Sequence, residues 1–138
     1  MQNTTAATAH IGGLFSHPLF LRRILLLDAA ICVATGLVMA TGAATVSQLT
    51  QLPSALLSVA GASLFPIALF MALVATRRPI PSAGAWLVIL GNAGWVIGSL
   101  ALLTGTVPFN ALGAAFVLTQ ALAVAGLAVL ETIAVRKR

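Results

Sequence analysis

The feature that most constrains this chain is a long apolar run from Leu21 to Ala43, which contains a single acid, Asp28. A helix of about 20 apolar residues crosses the roughly 30 Å hydrocarbon core of a bilayer. Three similar runs follow, and their short connectors make successive helices antiparallel neighbours. The sequence therefore predicts an all-α membrane protein, a four-transmembrane-helix bundle of up-down-up-down topology with spans at about 21–43, 54–76, 83–104 and 111–135.

The composition excludes a water-exposed globular domain. The chain is 60% hydrophobic and only 7% charged, whereas about a quarter of the residues of a soluble domain are charged. Its 138 residues suit one transmembrane domain, residues 18–138, preceded by a flexible or interfacial segment, residues 1–17. At the boundary between the two, we expect Ser16 to cap the first helix and Pro18 to lie in its first turn.

The basic residues account for the net charge of +5 and predict an orientation. They precede the first span, separate the second from the third, or follow the fourth: Arg22, Arg23, Arg77, Arg78, Arg136, Lys137 and Arg138. All seven therefore fall on one side of a four-span protein, which the positive-inside rule places in the cytoplasm together with both termini. This pattern favours contact with membrane lipids over nucleic-acid binding.

Two acids lie within the spans, and each has two interpretations. Asp28 and Glu131 are both five residues from a flanking arginine, at a depth of about 8 Å for a helical rise of 1.5 Å per residue. In the first interpretation they form cytoplasmic ion pairs that fix helix ends, with partners among Arg22, Arg23, Arg77 and Arg78. In the second, Asp28 is a proton- or cation-binding carboxylate at the inner end of a cavity.

Other polar and aromatic residues predict a small pocket. Asn92 and Trp95 lie on one face of the third span, Gln120 lies at a comparable depth in the fourth, and Pro66 interrupts the second. Such a pocket would suit a small amphipathic ligand, a quinone-like ring or a lipid headgroup; the alternative is ordinary core packing. The residues of this ligand-binding hypothesis are Asp28, Pro66, Asn92, Trp95 and Gln120.

Further residues carry predictions about packing and metals. Gly94 and Gly98 form a GxxxG motif, which favours helix–helix packing in a homo-oligomer or within a larger membrane complex. Cys32 is interpreted as a small apolar filler. His10 and His17 form a poor metal site, so neither a metal nor a cofactor is expected. Residues 44–52 are expected to form a polar connector, with Thr50 or a neighbour capping the second span.

These residues resemble two groups of membrane proteins. One is the small bacterial four-helix integral membrane proteins without an assigned activity, on the pattern of Leu27-Asp28, Pro66, Asn92 with Trp95, and Gln120. This resemblance implies the four-helix fold and a bacterial inner-membrane location. The acid of the first span, and Gly94-Trp95 with Gly98 in the third, also resemble the small multidrug resistance transporters. The chain differs from those transporters in having no tyrosine and a longer N-terminal segment.

Two functions remain open from the sequence. The first is a non-enzymatic membrane protein, either an accessory or interaction subunit or a small lipid- or ligand-binding bundle. The second, which the transporter resemblance implies, is a small proton-coupled multidrug-type transporter that uses Asp28. An enzyme is not expected, because the sequence has neither a nucleophile with an associated base nor histidines within the spans that could bind haem.

Overall fold

The computed structural model describes residues 13–138, which are almost entirely helical and contain no strand. The helices are α1 (Pro18–Thr41), α2 (Ala43–Thr50), α3 (Ser54–Thr76), α4 (Ser82–Ala101) and α5 (Ala111–Arg136). A π-helical turn, Leu102–Thr106, extends α4. Four of these elements are long and apolar enough to cross a membrane, so the predicted all-helical, four-span character is confirmed. Part of the predicted segment 1–17, including His10, lies outside the described residues.

The first helix begins with a different cap from the one predicted. His17 is the N-cap, and its Nδ1 accepts a hydrogen bond from the backbone N–H of Leu19 at 3.2 Å. Pro18 occupies the first helical position as expected, where its missing N–H costs nothing. Ser16 instead donates from its hydroxyl to the carbonyl of Gly13 at 3.0 Å, so its prediction as the cap is wrong.

The polar connector predicted at residues 44–52 is largely helical, because α2 occupies most of it. Thr50 belongs to the end of that helix: its hydroxyl donates to the carbonyl of Val46 at 2.6 Å and accepts from the N–H of Leu52 at 3.3 Å. The N-cap of α3 is Pro53, which has no capping side chain. Thr50 therefore closes α2 and does not cap α3.

Close backbone contact joins α1 to α3 through Gly36 and Gly61. A Cβ atom added to Gly61 would lie 2.7 Å from the backbone nitrogen of Ala40, and one added to Gly36 would lie 2.9 Å from the carbonyl oxygen of Gly61. Small residues at a helix crossing allow such an approach, and van der Waals packing then holds the helices together. This pair does within the chain what the sequence assigned to Gly94 and Gly98.

Gly94 and Gly98 are exposed, and a Cβ atom at either would meet nothing within 4 Å. No other helix of residues 13–138 therefore packs closely on these glycines, which border an open space that residues of α1, α3 and α5 also line. Packing of this face against another protein stays a prediction.

The long helices associate as two pairs, α1 with α3 and α4 with α5. The pairs meet mainly where α1 packs against α5, whereas α3 and α4 make little contact with each other. The ends of α1 and α3 are joined by Arg22, whose Nε donates to the carbonyl of Ala75 at 2.7 Å. Space is left between the two pairs, on the side where α3 faces α4.

We predict that Gly61→Val destabilises the fold, because its Cβ would meet backbone atoms of α1 that cannot move aside. Overpacking of this kind costs about 1–3 kcal/mol. Gly126→Val is the matched control, since a Cβ atom there meets nothing within 4 Å and the change in helix propensity is the same. Thermal unfolding in detergent should show a clearly lower midpoint for the first variant than for the second; equal midpoints would contradict the predicted contact.

Candidate functional site

Three polar side chains from three helices meet in the interior. The Asn92 amide of α4 donates from Nδ2 to Oδ2 of Asp28 on α1 at 2.6 Å and to Oε2 of Glu131 on α5 at 3.1 Å. Asp28 and Glu131 are 0% exposed and Asn92 is 5% exposed. We call these residues the Asp28–Asn92–Glu131 triad. It joins the two helix pairs by hydrogen bonds through a single amide.

Helical periodicity explains why Glu131 reaches this position. Gln120, Val124, Leu127 and Glu131 follow one another at steps of four, three and four residues, which is the spacing of one helix face. Leu127 and Glu131 are buried, and Gln120 and Val124 are half-buried. The short distance along the chain from Glu131 to Arg136 suggested a position near the surface. The spacing of three turns from Gln120 indicated instead that Glu131 lies on the same inward face.

The structure corrects the expected ion pairs of Glu131 and Arg22. Glu131 is fully buried and accepts from Asn92. Arg22 donates to two backbone carbonyls, those of Ala75 and Arg77. The arginine thus completes the end of α3, whose last carbonyls have no intrahelical donor, and the acid faces inward.

The two carboxyl groups of the triad are neighbours, because Oδ2 of Asp28 and Oε2 of Glu131 accept from the same nitrogen, Nδ2 of Asn92, at 2.6 and 3.1 Å. The only further hydrogen bond to the Asp28 side chain in residues 13–138 comes from Cys32, whose Sγ lies 3.9 Å from Oδ1. The Oε1 atom of Glu131 is buried and has no hydrogen-bond partner in that part of the chain. Cys32, which the sequence presented as an apolar filler, is therefore also a neighbour of the buried acid.

A cavity of about 330 Å³ lies beside the triad, between the two helix pairs. All four long helices contribute to its wall, which is mostly apolar. Each residue of the ligand-binding hypothesis lines it: Asp28, Pro66, Asn92, Trp95 and Gln120. The structure thus brings these five residues together, and their binding of a ligand stays a prediction.

The cavity opens sideways between α3 and α4. Its exposed lining residues include Ile67 and Phe70 of α3 and Leu87 of α4, which are 39%, 41% and 59% exposed. The lining residues Met71 and Val88 are buried, as are Asp28 and Asn92. In a bundle that spans a bilayer, an apolar opening on the side of the helices faces lipid, and the polar groups lie at the inner end.

A second cavity of about 410 Å³ lies on the other side of Trp95. Trp95 and Gln120 line both cavities, and the face with Gly94 and Gly98 borders the second one. The indole Nε1 of Trp95 is buried without a hydrogen-bond partner among residues 13–138.

The comparisons with known proteins identify no relative. No family model matches this chain, and neither the curated proteins nor the solved structures gave a match. No group of three or more potential metal-ligating side chains occurs in the described residues. The class that the fold defines is thus a small helical protein with four membrane-span candidates.

We predict that Asn92→Leu destabilises the protein strongly, because it leaves two buried carboxyl groups without their common donor. Loss of a hydrogen bond to a charged group costs about 1.5–3 kcal/mol. Gln120→Leu is the matched amide control: Gln120 is half-buried, and its side-chain amide makes no hydrogen bond with residues 13–138. Denaturant unfolding of both variants measures the difference. A cost for Gln120→Leu as large as that for Asn92→Leu would contradict the structural importance of the triad.

Proposed function

We propose that this protein is a non-enzymatic, membrane-integral bundle that binds a small amphipathic ligand in the cavity between its helix pairs. The observation that carries the proposal is the combination of an apolar wall, a lateral opening and a polar inner end. Ligand sites commonly have this character, with a few polar groups that orient the ligand in an apolar pocket.

The proposed setting is the bacterial inner membrane, with an up-down-up-down topology and both termini in the cytoplasm. The charge pattern supports this orientation, since every basic residue falls at a span end that this topology places inside. Contacts between these ends agree with it: Arg22 binds the end of α3, and Arg138 binds the carbonyl of Ile80 and the hydroxyl of Ser82. The ligand would enter from the bilayer between α3 and α4.

Association with a second protein is a further part of this proposal. The exposed glycine face of α4 supports it, because Gly94 and Gly98 would let another helix approach closely. A homo-oligomer or a larger membrane complex would use this face in the same way. An accessory role in such a complex is compatible with ligand binding, since the opening between α3 and α4 involves other residues.

The ligand proposal can be tested with 2-methyl-1,4-naphthoquinone, a compact flat ring that quenches tryptophan fluorescence. Trp86→Phe leaves Trp95 as the single tryptophan of the chain, and this residue lines the cavity. In vesicles, quenching of Trp95 should saturate at low quinone concentration, because the sites become filled. Quenching that rises without saturation would indicate collision in the lipid and contradict a site for this ring.

Blocking the cavity should abolish the saturable part of the quenching. Gly91 lines the cavity, and a Cβ atom there meets nothing within 4 Å, so Gly91→Phe should fill the space without disturbing the backbone. Gly126→Phe is the matched control, because it is equally unobstructed and does not line either cavity. We expect saturable quenching to be lost in the first variant and kept in the second.

A second candidate function is proton-coupled transport of a lipophilic cation. One observation favours it: Asp28 belongs both to the wall of the cavity and to the triad. A carboxylate in this position could bind a cationic ligand in the cavity or a proton, and competition between the two would couple their movements. The lateral opening would then serve as the entrance for the cation.

Transport is tested by uptake of tetraphenylphosphonium into proteoliposomes whose interior is acidic. A proton-coupled exchanger should accumulate the cation above the level of protein-free liposomes, and Asp28→Asn should reduce uptake to that level. The control is the elution profile and thermal unfolding of the variant, which must match the wild type. Uptake by wild-type vesicles equal to that of empty liposomes would remove the transporter and leave the ligand-binding bundle.

A further inference from the structure

The triad has fewer hydrogen-bond donors than its carboxyl oxygens can accept. Asn92 has two N–H groups on Nδ2, and each donates to a different carboxyl group. Oδ1 of Asp28 has only the weak Cys32 contact at 3.9 Å, and Oε1 of Glu131 has no partner in residues 13–138. A buried carboxylate oxygen without a donor loses its hydration without compensation.

No basic side chain of residues 13–138 is hydrogen-bonded to either acid of the triad. Helices α3 and α4 contain no ionisable side chain at all. The other ionisable residues of α1 are Arg22, Arg23 and Cys32, and α5 adds only Arg136. Arg22 is engaged with the carbonyls of Ala75 and Arg77, and Arg23 and Arg136 lie about one turn or more from their acids along the helices. Two adjacent carboxylates would therefore carry two uncompensated charges.

The space around the carboxyl pair decides whether a metal ion or a proton can compensate its charge. Oε1 of Glu131 is fully enclosed, and the residue does not line either of the two cavities. A metal ion would need room for several oxygen ligands, whereas a proton needs only two neighbouring carboxyl groups, which the shared Asn92 amide already brings together. Carboxyl pairs that share one proton are a known solution to burying two acids side by side.

We propose that the Asp28–Asn92–Glu131 triad is a proton-binding site that holds one proton between its two carboxyl groups. In the bound form the Glu131 carboxyl donates its O–H to the Asp28 carboxylate, and Asn92 donates one N–H to each. On release the proton leaves to water, the O–H bond of Glu131 breaks, and two carboxylates remain against the same amide. The site therefore alternates between net charges of −1 and −2.

This site goes beyond the proposed ligand and does not depend on it. The proton lies between α1 and α5, while the ligand would lie between the helix pairs on the other side of Asp28. A negative quinone assay would contradict the ligand site and not the proton site. A negative measurement of the bound proton would contradict the proton site and not the ligand site. Asn92 acts in the proton site as a positioning residue, since it fixes both carboxyl groups in one place.

The test uses infrared spectroscopy of the full chain in dodecyl maltoside, a detergent without ester carbonyl groups. The chain has only two acidic side chains, so the carbonyl stretching band of a protonated side-chain carboxyl can arise only from Asp28 or Glu131. The Asp28→Asn, Glu131→Gln double variant serves as the baseline at each pH and keeps the C-terminal carboxyl. If that variant does not fold, the wild type at strongly alkaline pH replaces it.

The expected band at neutral pH has half the area that it reaches at strongly acidic pH, where both carboxyl groups are protonated. A neutral-pH band of full area would show two protons and overturn the shared site. No band at neutral pH would show two carboxylates and would overturn it as well.

The S–H stretching band of Cys32 is an independent readout, because this is the only cysteine in the chain. As pH rises and the proton leaves, the Asp28 carboxylate becomes a stronger acceptor, and the S–H band should move to lower frequency together with the loss of the carboxyl band. A change of the carboxyl band and of the S–H band over the same pH range supports the site. An S–H band that stays fixed while the carboxyl band disappears would place the titrating group away from Asp28 and overturn the assignment.

Discussion

The burial of two carboxyl groups in an apolar helical bundle is the constraint on which the rest of this structure depends. Polar groups in such an interior must satisfy one another, because neither lipid nor apolar side chains can. One amide does this here by donating to both acids. These hydrogen bonds also hold three helices together: α1, α4 and α5 can be displaced from one another only by breaking hydrogen bonds to acids that have no alternative donors nearby.

The α1–α3 pair is held by a different interaction. Its helices approach until the backbone of Gly61 touches α1, so packing is tight where no polar group is needed. Between α3 and α4 neither interaction is present: no side-chain hydrogen bond joins these two helices, and they make little contact. The cavity lies there because the two helix pairs are tied together on the α1–α5 side and left apart on the α3–α4 side.

Much of the fold could be predicted from hydropathy alone, since the apolar runs and the helices agree closely. Ser54–Thr76 corresponds to the predicted second span, and Ala111–Arg136 extends the predicted fourth by one residue. The helix α2 was missed because its residues are polar and short of a full span, so the pattern resembled a connector. Its helicity depends on packing of Ala43 and Thr50 against the other elements, which a single-sequence reading of polarity does not include.

The site was predicted in part, and the reason lies in how depth was measured. Distance from the arginines suggested ion pairs for Asp28 and Glu131, and only Asp28 was grouped with Asn92 as a pocket residue. The structure instead places all three together, because side-chain direction on the helix decides burial more than distance along it. The same periodicity argument that put Asn92 and Trp95 on one face would have joined Gln120 to Glu131. The partners across helices could not be deduced, since one sequence gives no relative rotation of its spans.

The triad and the cavity share Asp28 and Asn92, and the shared acid links the charge of the interior to the shape of the space beside it. A ligand that touches Asp28 changes the environment of the carboxyl pair, and the charge of the pair in turn changes the affinity for that ligand by the same factor. A neutral ligand would favour the state of lower charge, whereas a cationic one would favour the state of higher charge. The chemistry of the ligand therefore decides whether this bundle merely holds a molecule from the membrane or exchanges it against a proton.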